Sequence, residues 1–269
     1  MIICAIGDPH GDLEKIKKIP LHGVDLILVT GDIGKSDLIR KMTFENIKRQ
    51  KEGQDKIKYT LKDKKNAYME THTSTIKIID YLSKHAPVLT IFGNVESTTK
   101  DTLELSKQIN EDLPYLTREL IKIKNVRIIN NKLANINGLK IGGLQYFIDT
   151  NWVEEFKPKN YEEKMKIAKH DTKKAKKILN WFDELDILVC HQPPHGILDK
   201  VNLENGAPKE WNGKRAGSKT ILEYIKTKNP KYVFCGHIHE GAGNTKINET
   251  KIYNLGVCNY KKIKLNPKI

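Results

Sequence analysis

The chain contains five short apolar runs, each bounded by glycine, aspartate or proline. They are short and continuously apolar, as is typical of strands that are buried on both faces. Segments of helical composition separate most of these runs, so the order of elements predicts an α/β protein. The predicted strands are 2–6, 26–30, 88–92, 187–190 and 232–235, and the predicted helices are 13–19, 36–49, 63–84, 102–110, 161–182 and 218–228.

Two further segments predict β-hairpins. Residues 132–144 would fold around Asn137-Gly138, and Asn-Gly is the strongest short signal for a two-residue hairpin turn. Residues 245–255 would form a second hairpin around a turn at 248–250. These strands would add antiparallel edges to the α/β frame.

The length and the cysteines bear on organisation and location. The chain shows no repeat and no clear linker, so we expect one domain over residues 1–269, with residues 46–75 as an insertion. The first residues lack the basic region of a signal peptide, and no apolar stretch approaches the roughly 18 residues that a membrane-spanning helix needs. No close cysteine pair suggests a disulfide framework. We therefore expect a cytoplasmic protein without a membrane partner.

The net charge is +14, and two segments hold much of it. Residues 46–66 contain eight basic and three acidic residues, and residues 157–177 contain nine and three. In the second segment, apolar residues recur at helical spacing, which makes the lysines the solvated face of an amphipathic helix. Contact with nucleic acid is thus the less favoured interpretation, also because aromatic residues are scarce there. The apolar stripe is Tyr161, Met165, Ala168, Thr172, Ala175, Leu179 and Phe182.

Polar residues of metal-binding type directly follow each of the five predicted strands. In open α/β sheets, ligands gather at the carboxyl ends of the strands, so these side chains would converge on one edge. Each motif alone is a common coincidence, but five in succession at strand ends are not. The motifs are Asp8-Pro9-His10, Gly31-Asp32, Gly93-Asn94-Val95-Glu96, His191-Gln192-Pro193-Pro194-His195 and Gly236-His237-Ile238-His239.

This set of imidazole, carboxylate and amide groups contains no thiolate. It suits Mn²⁺, Fe, Zn²⁺ or similar ions and does not suit a structural zinc site. A glycine precedes Asp32, Asn94 and His237, where it would allow a sharp turn that brings the ligand close to the metal. We expect two divalent ions, with Mn²⁺ first and Fe, Zn²⁺ or Ni²⁺ as alternatives.

The order of these motifs resembles the calcineurin-like metallophosphoesterase family, whose pattern is D-x-H, G-D, G-N-H-[DE], H and G-H-x-H. The resemblance spans Asp8 to His239. It implies a sandwich of two mixed β-sheets flanked by helices, with the active site at the carboxyl ends of the strands. It also implies that Asp8, His10 and His239 hold one ion, that Asn94, His191 and His237 hold the other, and that Asp32 bridges both.

One position departs from the family pattern. Val95 stands where the family has a histidine that contacts the phosphate and is the usual candidate to protonate the leaving oxygen, although the acidic residue that follows is kept as Glu96. General acid catalysis contributes about 10²- to 10⁴-fold, so its loss should weaken hydrolysis of esters with poor leaving groups most. His195, beyond the stiff Pro193-Pro194 pair, would be the natural substitute. Alternatively, it is an ordinary loop histidine.

These features predict a metal-dependent phosphoesterase, most readily a phosphodiesterase, in which a hydroxide shared by two ions attacks phosphorus. Asp32, Asn94 and His195 are the predicted catalytic residues, with Asn94 orienting the phosphate of the substrate. Two alternatives stay open: a nuclease, because of the basic excess, and a metal-binding scaffold without turnover, because of Val95. The sequence does not give the oligomeric state.

Overall fold

The computed structural model describes residues 1–203 and 207–266 of the chain. Eleven strands lie in this part, and all five apolar runs predicted as strands are among them. The strands are β1 (Ile2–Ile6), β2 (Leu26–Val29), β3 (Val88–Thr90), β4 (Val126–Ile128), β5 (Lys132–Ile136), β6 (Leu139–Leu144), β7 (Ile187–Cys190), β8 (Tyr232–Cys235), β9 (Gly243–Ile247), β10 (Thr250–Asn254) and β11 (Tyr260–Lys264).

The strands form two mixed sheets. The first has the order β11-β1-β2-β3-β4, in which β1 to β4 are parallel and β11 is antiparallel. The second has the order β5-β6-β7-β8-β10-β9, with a parallel centre and antiparallel strands β5 and β9 at its edges. Because the central strands of each sheet are parallel, their carboxyl ends share one edge.

Helices of very different length connect the strands. Two of them begin with reciprocal capping boxes, Thr60 with Asp63 and Thr98 with Asp101. The helices are α1 (Leu13–Lys17), α2 (Asp37–Lys51), α3 (Leu61–Ser83), α4 (Thr99–Ile109), α5 (Leu116–Leu120), α6 (Thr150–Phe156), α7 (Tyr161–Phe182) and α8 (Lys219–Lys228).

The alternation of side chains along each strand builds four layers. In β1, Ile3 and Ala5 pack against residues of the second sheet, whereas Cys4 and Ile6 pack against helices on the other face. In β7, Val189 faces the first sheet, and Leu188 packs with α7 and α8. The predicted sandwich of two mixed sheets flanked by helices is therefore confirmed.

Both predicted hairpins form. In the first, Ile136 pairs with Leu139, and Asn137 and Gly138 both have positive φ, as a type I′ turn requires. In the second, Ile247 pairs with Thr250, so the turn has two residues rather than the three that the sequence suggested. The amphipathic reading of α7 is also correct, because its apolar stripe is buried or half-buried.

Four short elements were not predicted: β4, β11, α5 and α6. Strand β11 has the sequence YKKIK and pairs with β1 at the edge of the first sheet; two of its three lysines are exposed, and its apolar signal is weak. Residues 52–60 connect α2 to α3, and whether residues 46–75 are an insertion stays a prediction. No helix in the two described ranges is long and apolar enough to cross a bilayer.

Candidate metal centre

Six of the predicted ligands come together in two groups at the common edge of the sheets. Each group has its ligand atoms within 4.8 Å of one another. Asp8, His10 and His239 follow β1 and β8, and all three belong to the first group. The second group is Asp32, His191 and His237, which follow β2, β7 and β8. Residues more than 200 positions apart therefore meet because their strands end at the same edge.

In the first group, two imidazole nitrogens point at the same space. His10 Nε2 and His239 Nε2 lie 3.1 Å apart, and Asp8 Oδ2 lies 3.4 Å from His239 Nε2. The other nitrogen of His10, Nδ1, is buried and has no hydrogen-bond partner. Asp8 is fully buried, and the backbone N–H of His237 donates to its Oδ2 at 2.6 Å. The position of Asp8 is thus fixed by the neighbouring loop.

In the second group, the contacts of His191 assign different roles to its two nitrogens. His191 Nδ1 lies 2.9 Å from the carbonyl oxygen of Thr30, to which it can only donate. His191 Nε2 lies 3.1 Å from Asn94 Oδ1 and 3.4 Å from Asp32 Oδ1. A metal-binding histidine in proteins typically donates its second N–H to a carbonyl in this way. The ring is therefore oriented with Nε2 toward the oxygen atoms.

The Asp32 carboxylate lies between the two groups. Its Oδ1 is near His191 of the second group, and its Oδ2 lies 3.9 Å from His10 Nε2 of the first. The backbone N–H of Val95 donates to Oδ1 at 3.0 Å. This placement is the one that a bridging carboxylate needs.

Three of these residues have left-handed backbone conformations: φ is 43° at His10, 45° at Asp32 and 67° at His237. Residues with a Cβ rarely adopt this region, and it concentrates at sites where the surroundings hold the chain in place. The loops after β1, β2 and β8 therefore store local strain at the residues whose side chains converge.

Two glycines that directly precede site residues, Gly93 before Asn94 and Gly236 before His237, are required because there is no room for a side chain, and not because of their φ angles. A Cβ on Gly93 would collide with the Asp32 carboxylate, and a Cβ on Gly236 would collide with the Asp8 carboxylate. At Gly31 both reasons apply: its φ is 99°, and a Cβ would lie 2.5 Å from the backbone nitrogen of Gly93. The sharp turn that the sequence predicted at all three glycines therefore accounts only for Gly31, where φ is positive.

Glu96 holds the loops beneath the site. Its buried carboxylate accepts backbone N–H bonds from Asp32, Ile33, Gly34 and Gly93, at 2.6 to 3.2 Å. Burial, and then the nearby Asp32 carboxylate, raise the pKa of Glu96 to about 7, against the effect of these donors. Glu96 therefore ties the loop after β2 to the loop after β3 without facing the ligand cavity.

The buried ionisable groups of the site have pKa values shifted in different directions. Burial opposes protonation of His191, but Asp32 and Asp8 outweigh it and raise the pKa of His191 to about 10. Burial and the charge of His191 lower the pKa of His237 to about 3. Burial favours the neutral acid of Asp32, yet His191 holds its pKa well below the ordinary value. A cation in this space would take over the role that the His191 proton has here.

The donor set fits divalent metal ions. The Nε2 atoms of His10 and His239 lie 3.1 Å apart, so in the metal-free chain one ring can donate to the other, and in their other tautomers both can direct a lone pair at one cation. Imidazole, carboxylate and amide ligands without thiolate suit Mn²⁺, Fe and Zn²⁺. Two groups of residues are thus able to hold metal ions here.

The ligand groups line a cavity of about 430 Å³. Val95, where the family pattern has histidine, forms part of its wall and is half-buried. Tyr146 was not among the predicted site residues, and its ring lies against those of His191 and His237, with ring centroids 5.8 and 5.3 Å apart. Tyr146 follows β6 just as the other site residues follow their strands, so the same rule would have found it. Arg40 of α2 also lines the cavity, although it belongs to none of the five sequence motifs.

Asn94 is exposed at the mouth of the site, with Oδ1 beside His191. His195 has other surroundings. Its Nδ1 lies 3.4 Å from Asn151 Nδ2 and 3.8 Å from Asp199 Oδ2, and among the described residues it does not line the 430 Å³ cavity. A role of His195 as proton donor stays a prediction.

Comparison with known proteins gives a family match and several similar sequences. Residues 1–241 match the calcineurin-like phosphoesterase family. A UPF0046 protein from Caenorhabditis elegans is 25 % identical over 264 residues, which cover 94 % of this chain and 55 % of that protein. Metallophosphoesterase domain-containing protein 1 from Homo sapiens is 35 % identical over 86 residues, 32 % of this chain and 24 % of that protein. The chain thus spans about half of the first relative and about a quarter of the second.

A solved structure is similar in fold. A dimetal phosphatase from Danio rerio aligns with a TM-score of 0.51 at 10 % identity, covering 96 % of this chain and 87 % of that one. At this identity the likeness concerns the fold alone.

Proposed function

Because the chain belongs to the calcineurin-like phosphoesterase family, we propose that it is a metal-dependent phosphodiesterase that hydrolyses P–O bonds. One observation carries the proposal: the Asp32 carboxylate lies between two groups of ligand side chains in the wall of one cavity. A carboxylate shared in this way could hold two ions close enough for both to act on one phosphate ester.

In this proposal, one ion is held by Asp8, His10 and His239, and the other by Asn94, His191 and His237, with Asp32 between them. When bound, two divalent ions, for which Mn²⁺ is our first candidate, would supply Lewis acidity toward a phosphoryl oxygen and acidify the attacking water. The Thr30 carbonyl fixes the orientation of His191 by accepting from its Nδ1. Glu96 fixes the backbone that carries Asp32.

Val95 favours diesters and good leaving groups as substrates. Its apolar side chain cannot donate a proton, so an oxygen that leaves near it must depart as the anion or be protonated from elsewhere. Asn94 is exposed at the cavity mouth, with its Oδ1 3.1 Å from His191 Nε2, and is our candidate for positioning the phosphate. We also propose a cytoplasmic location, since all four cysteines are buried and free.

The test is hydrolysis of bis-p-nitrophenyl phosphate by the purified chain loaded with Mn²⁺. We expect turnover that is abolished in Asp32→Ala and in His237→Ala and retained in His22→Ala, a matched histidine on an exposed loop. Circular dichroism would establish that the variants are folded. A wild-type protein that is inert with Mn²⁺, Fe²⁺, Zn²⁺ and Ni²⁺ would contradict the proposed function.

A nuclease is the second candidate, favoured by the net charge of +14. Binding to a polyanion releases counterions, so a nuclease reaction should weaken steeply as salt increases, and a small diester should not. Cleavage of single-stranded DNA and of bis-p-nitrophenyl phosphate, each at rising NaCl, separates the two. Parallel salt curves for both substrates would argue against specific nucleic-acid contact.

A further inference from the structure

An aromatic chamber opens from the same cavity that the metal-ligand groups line. We use this name for the space bounded by Trp152, Phe156, Trp211, Val201, Ala216 and Ile238. The cavity that joins it to His10, Asp32 and His237 has a volume of about 430 Å³, within the range of sites that hold small organic ligands. The cavity therefore has a polar end and an apolar end.

The rings of the chamber support one another. Trp152 and Phe156 lie one turn apart on α6 and stack at 5.1 Å with an interplanar angle of 17°. Trp211 meets Phe156 edge-on at 5.1 Å and an angle of 84°. Trp152 and Trp211 are half-buried, so both keep ring surface toward the cavity. Such an arrangement leaves an aromatic face for a ligand ring to stack on.

Buried polar contacts anchor the helix that carries two of these rings. Asp149 caps α6 and also accepts from the Ser218 hydroxyl at 2.5 Å. Asn151 on the same helix donates to the Gly217 carbonyl at 2.8 Å, and its Oδ1 accepts from the Lys219 N–H at 3.0 Å. The loop that carries Ala216 is thus tied to α6, and the chamber is a preformed feature of the fold.

Helix α2 supplies the opposite wall. Ile39, Arg40 and Phe44 face the cavity, and the Arg40 guanidinium lies 5.6 Å from the centre of the Phe44 ring. Arg40 lies close enough to the ligand groups to affect the pKa of His10. A phosphate at the ligand end would therefore sit near a permanent positive charge, while its substituent would meet rings.

We propose that this site takes phosphate esters in which one alcohol is a flat apolar group, such as an aryl alcohol. The phosphate lies at the ligand groups, and the apolar group lies in the aromatic chamber. The proposal rests on the proposed function for the position of the phosphate, and it adds the class of substituent. A purely polar alcohol would leave the rings of Trp152 and Trp211 exposed to water and would gain nothing from them.

The test uses two unreactive probes, phenylphosphonate and methylphosphonate, which have the same charged group and differ in the substituent. Their binding to the Mn²⁺-loaded protein is measured by calorimetry, and also by tryptophan fluorescence. Of the three tryptophans, Trp181 lies on α7 with 62 % of its surface exposed and does not line the cavity. In Trp181→Leu, the remaining signal comes from Trp152 and Trp211 alone.

We expect phenylphosphonate to bind at least about tenfold more tightly than methylphosphonate, an increment that stacking on an aromatic face and ring burial can supply. Trp211→Leu and, separately, Trp152→Leu should remove most of this preference, because each weakens phenylphosphonate binding far more than methylphosphonate binding. Trp181→Leu should retain it. Two variants are used because each ring also supports its neighbours.

Equal affinity of wild type for the two phosphonates, including no measurable binding of either, would overturn the proposal. So would an unchanged preference in both Trp211→Leu and Trp152→Leu. These outcomes are distinct from failure of the proposed function: a protein that prefers phenylphosphonate but hydrolyses no ester contradicts only the latter. A protein that hydrolyses bis-p-nitrophenyl phosphate without any preference contradicts only the substrate class.

Discussion

The two walls of the cavity are built in opposite ways. The strand-end wall is backed by fully buried carboxylates and imidazoles, such as Asp8 and His191, which backbone hydrogen bonds fix in place. The wall formed by α2 contains no buried side chain among those described, and Leu38 and Ile39 are 40 % and 44 % exposed. The difference indicates that the strand-end wall tolerates little displacement, whereas the wall formed by α2 can change without loss of the fold.

Val95 lies where the two walls meet, and replacing it should have the largest effect. It lines both the ligand cavity and a second cavity of about 390 Å³ on the other side of α2. In Val95→His, we expect kcat/KM for phenyl esters to rise by about 10²- to 10⁴-fold, because a proton donor reaches the leaving oxygen. Esters of p-nitrophenol should change little, since that group leaves without protonation.

The control for this substitution is Val95→Leu, which changes size and adds no proton donor. A rate profile across phenols of different pKa measures the effect directly. No gain for poor leaving groups in Val95→His would show that the pocket is adapted to something other than an absent proton donor.

Glu96 tests how rigid the strand-end wall must be. In Glu96→Gln, the side chain retains its size but loses acceptor capacity for the four backbone N–H groups that it holds. We expect Mn²⁺ affinity or kcat to fall about 10- to 100-fold, as is typical when a group that supports metal ligands is changed. Glu104→Gln, on the exposed side of α4, is the matched control. Equal activity of both variants would mean that the loops hold their shape without Glu96.

His191 predicts a pH dependence of metal binding. In the metal-free chain, Asp32 and Asp8 raise the pKa of His191 to about 10 despite burial, so a metal ion must displace a proton. Below that pH, metal affinity should rise about tenfold for each pH unit. Calorimetry in buffers of different ionisation enthalpy counts the released proton. A pH-independent affinity between pH 6 and 8 would contradict this account.

The same shift affects the stability of the metal-free fold. Folding raises the pKa of His191, so protonated His191 stabilises the folded chain. This contribution to the free energy of unfolding is fully present below the pKa of the unfolded chain, about 6.5, and is lost as the pH rises through about 10. Denaturation of metal-free wild type and of His191→Gln over that range isolates the contribution. The wild type alone should lose stability between these limits.

The smallest effect is expected on α2. Leu38→Ala should change the free energy of unfolding by less than about 0.5 kcal/mol, since the side chain is exposed and outside the core. Ile33→Ala, in the buried loop after Asp32, should cost about 2 to 5 kcal/mol. Urea denaturation measures both. A large effect of Leu38→Ala would mean that the two walls are equally important to the fold.

The sequence predicted the strand-end wall of the cavity far better than the aromatic chamber. Asp8, Asp32 and His237 follow buried strands, and the strand signal is strong because both faces are covered. The end of a parallel strand fixes where the next residues lie, so the local sequence pattern was enough to predict that these side chains meet. The hairpin around Asn137-Gly138 was also predicted correctly, because its turn signal lies in two adjacent residues.

The chamber could not be predicted in this way. Trp152 and Trp211 are 59 positions apart in the numbering, one on the short helix α6 and the other on a single helical turn. Their meeting depends on how two loops pack, and no periodic pattern in the sequence encodes that contact. The short edge strands β4 and β11 were missed because half-exposed residues carry little apolar signal.

The left-handed backbone at His10, Asp32 and His237 has a practical consequence for trapping an uncleaved ester in crystals. For most residues this conformation costs roughly 1–2 kcal/mol, but asparagine and aspartate adopt it most readily because their short side chains can hydrogen-bond locally. An inactive form made with alanine would risk relaxing the very loop that it is meant to preserve. Asp32→Asn and His237→Asn would leave the loop in its active shape, which makes them the forms to crystallise with a bound ester.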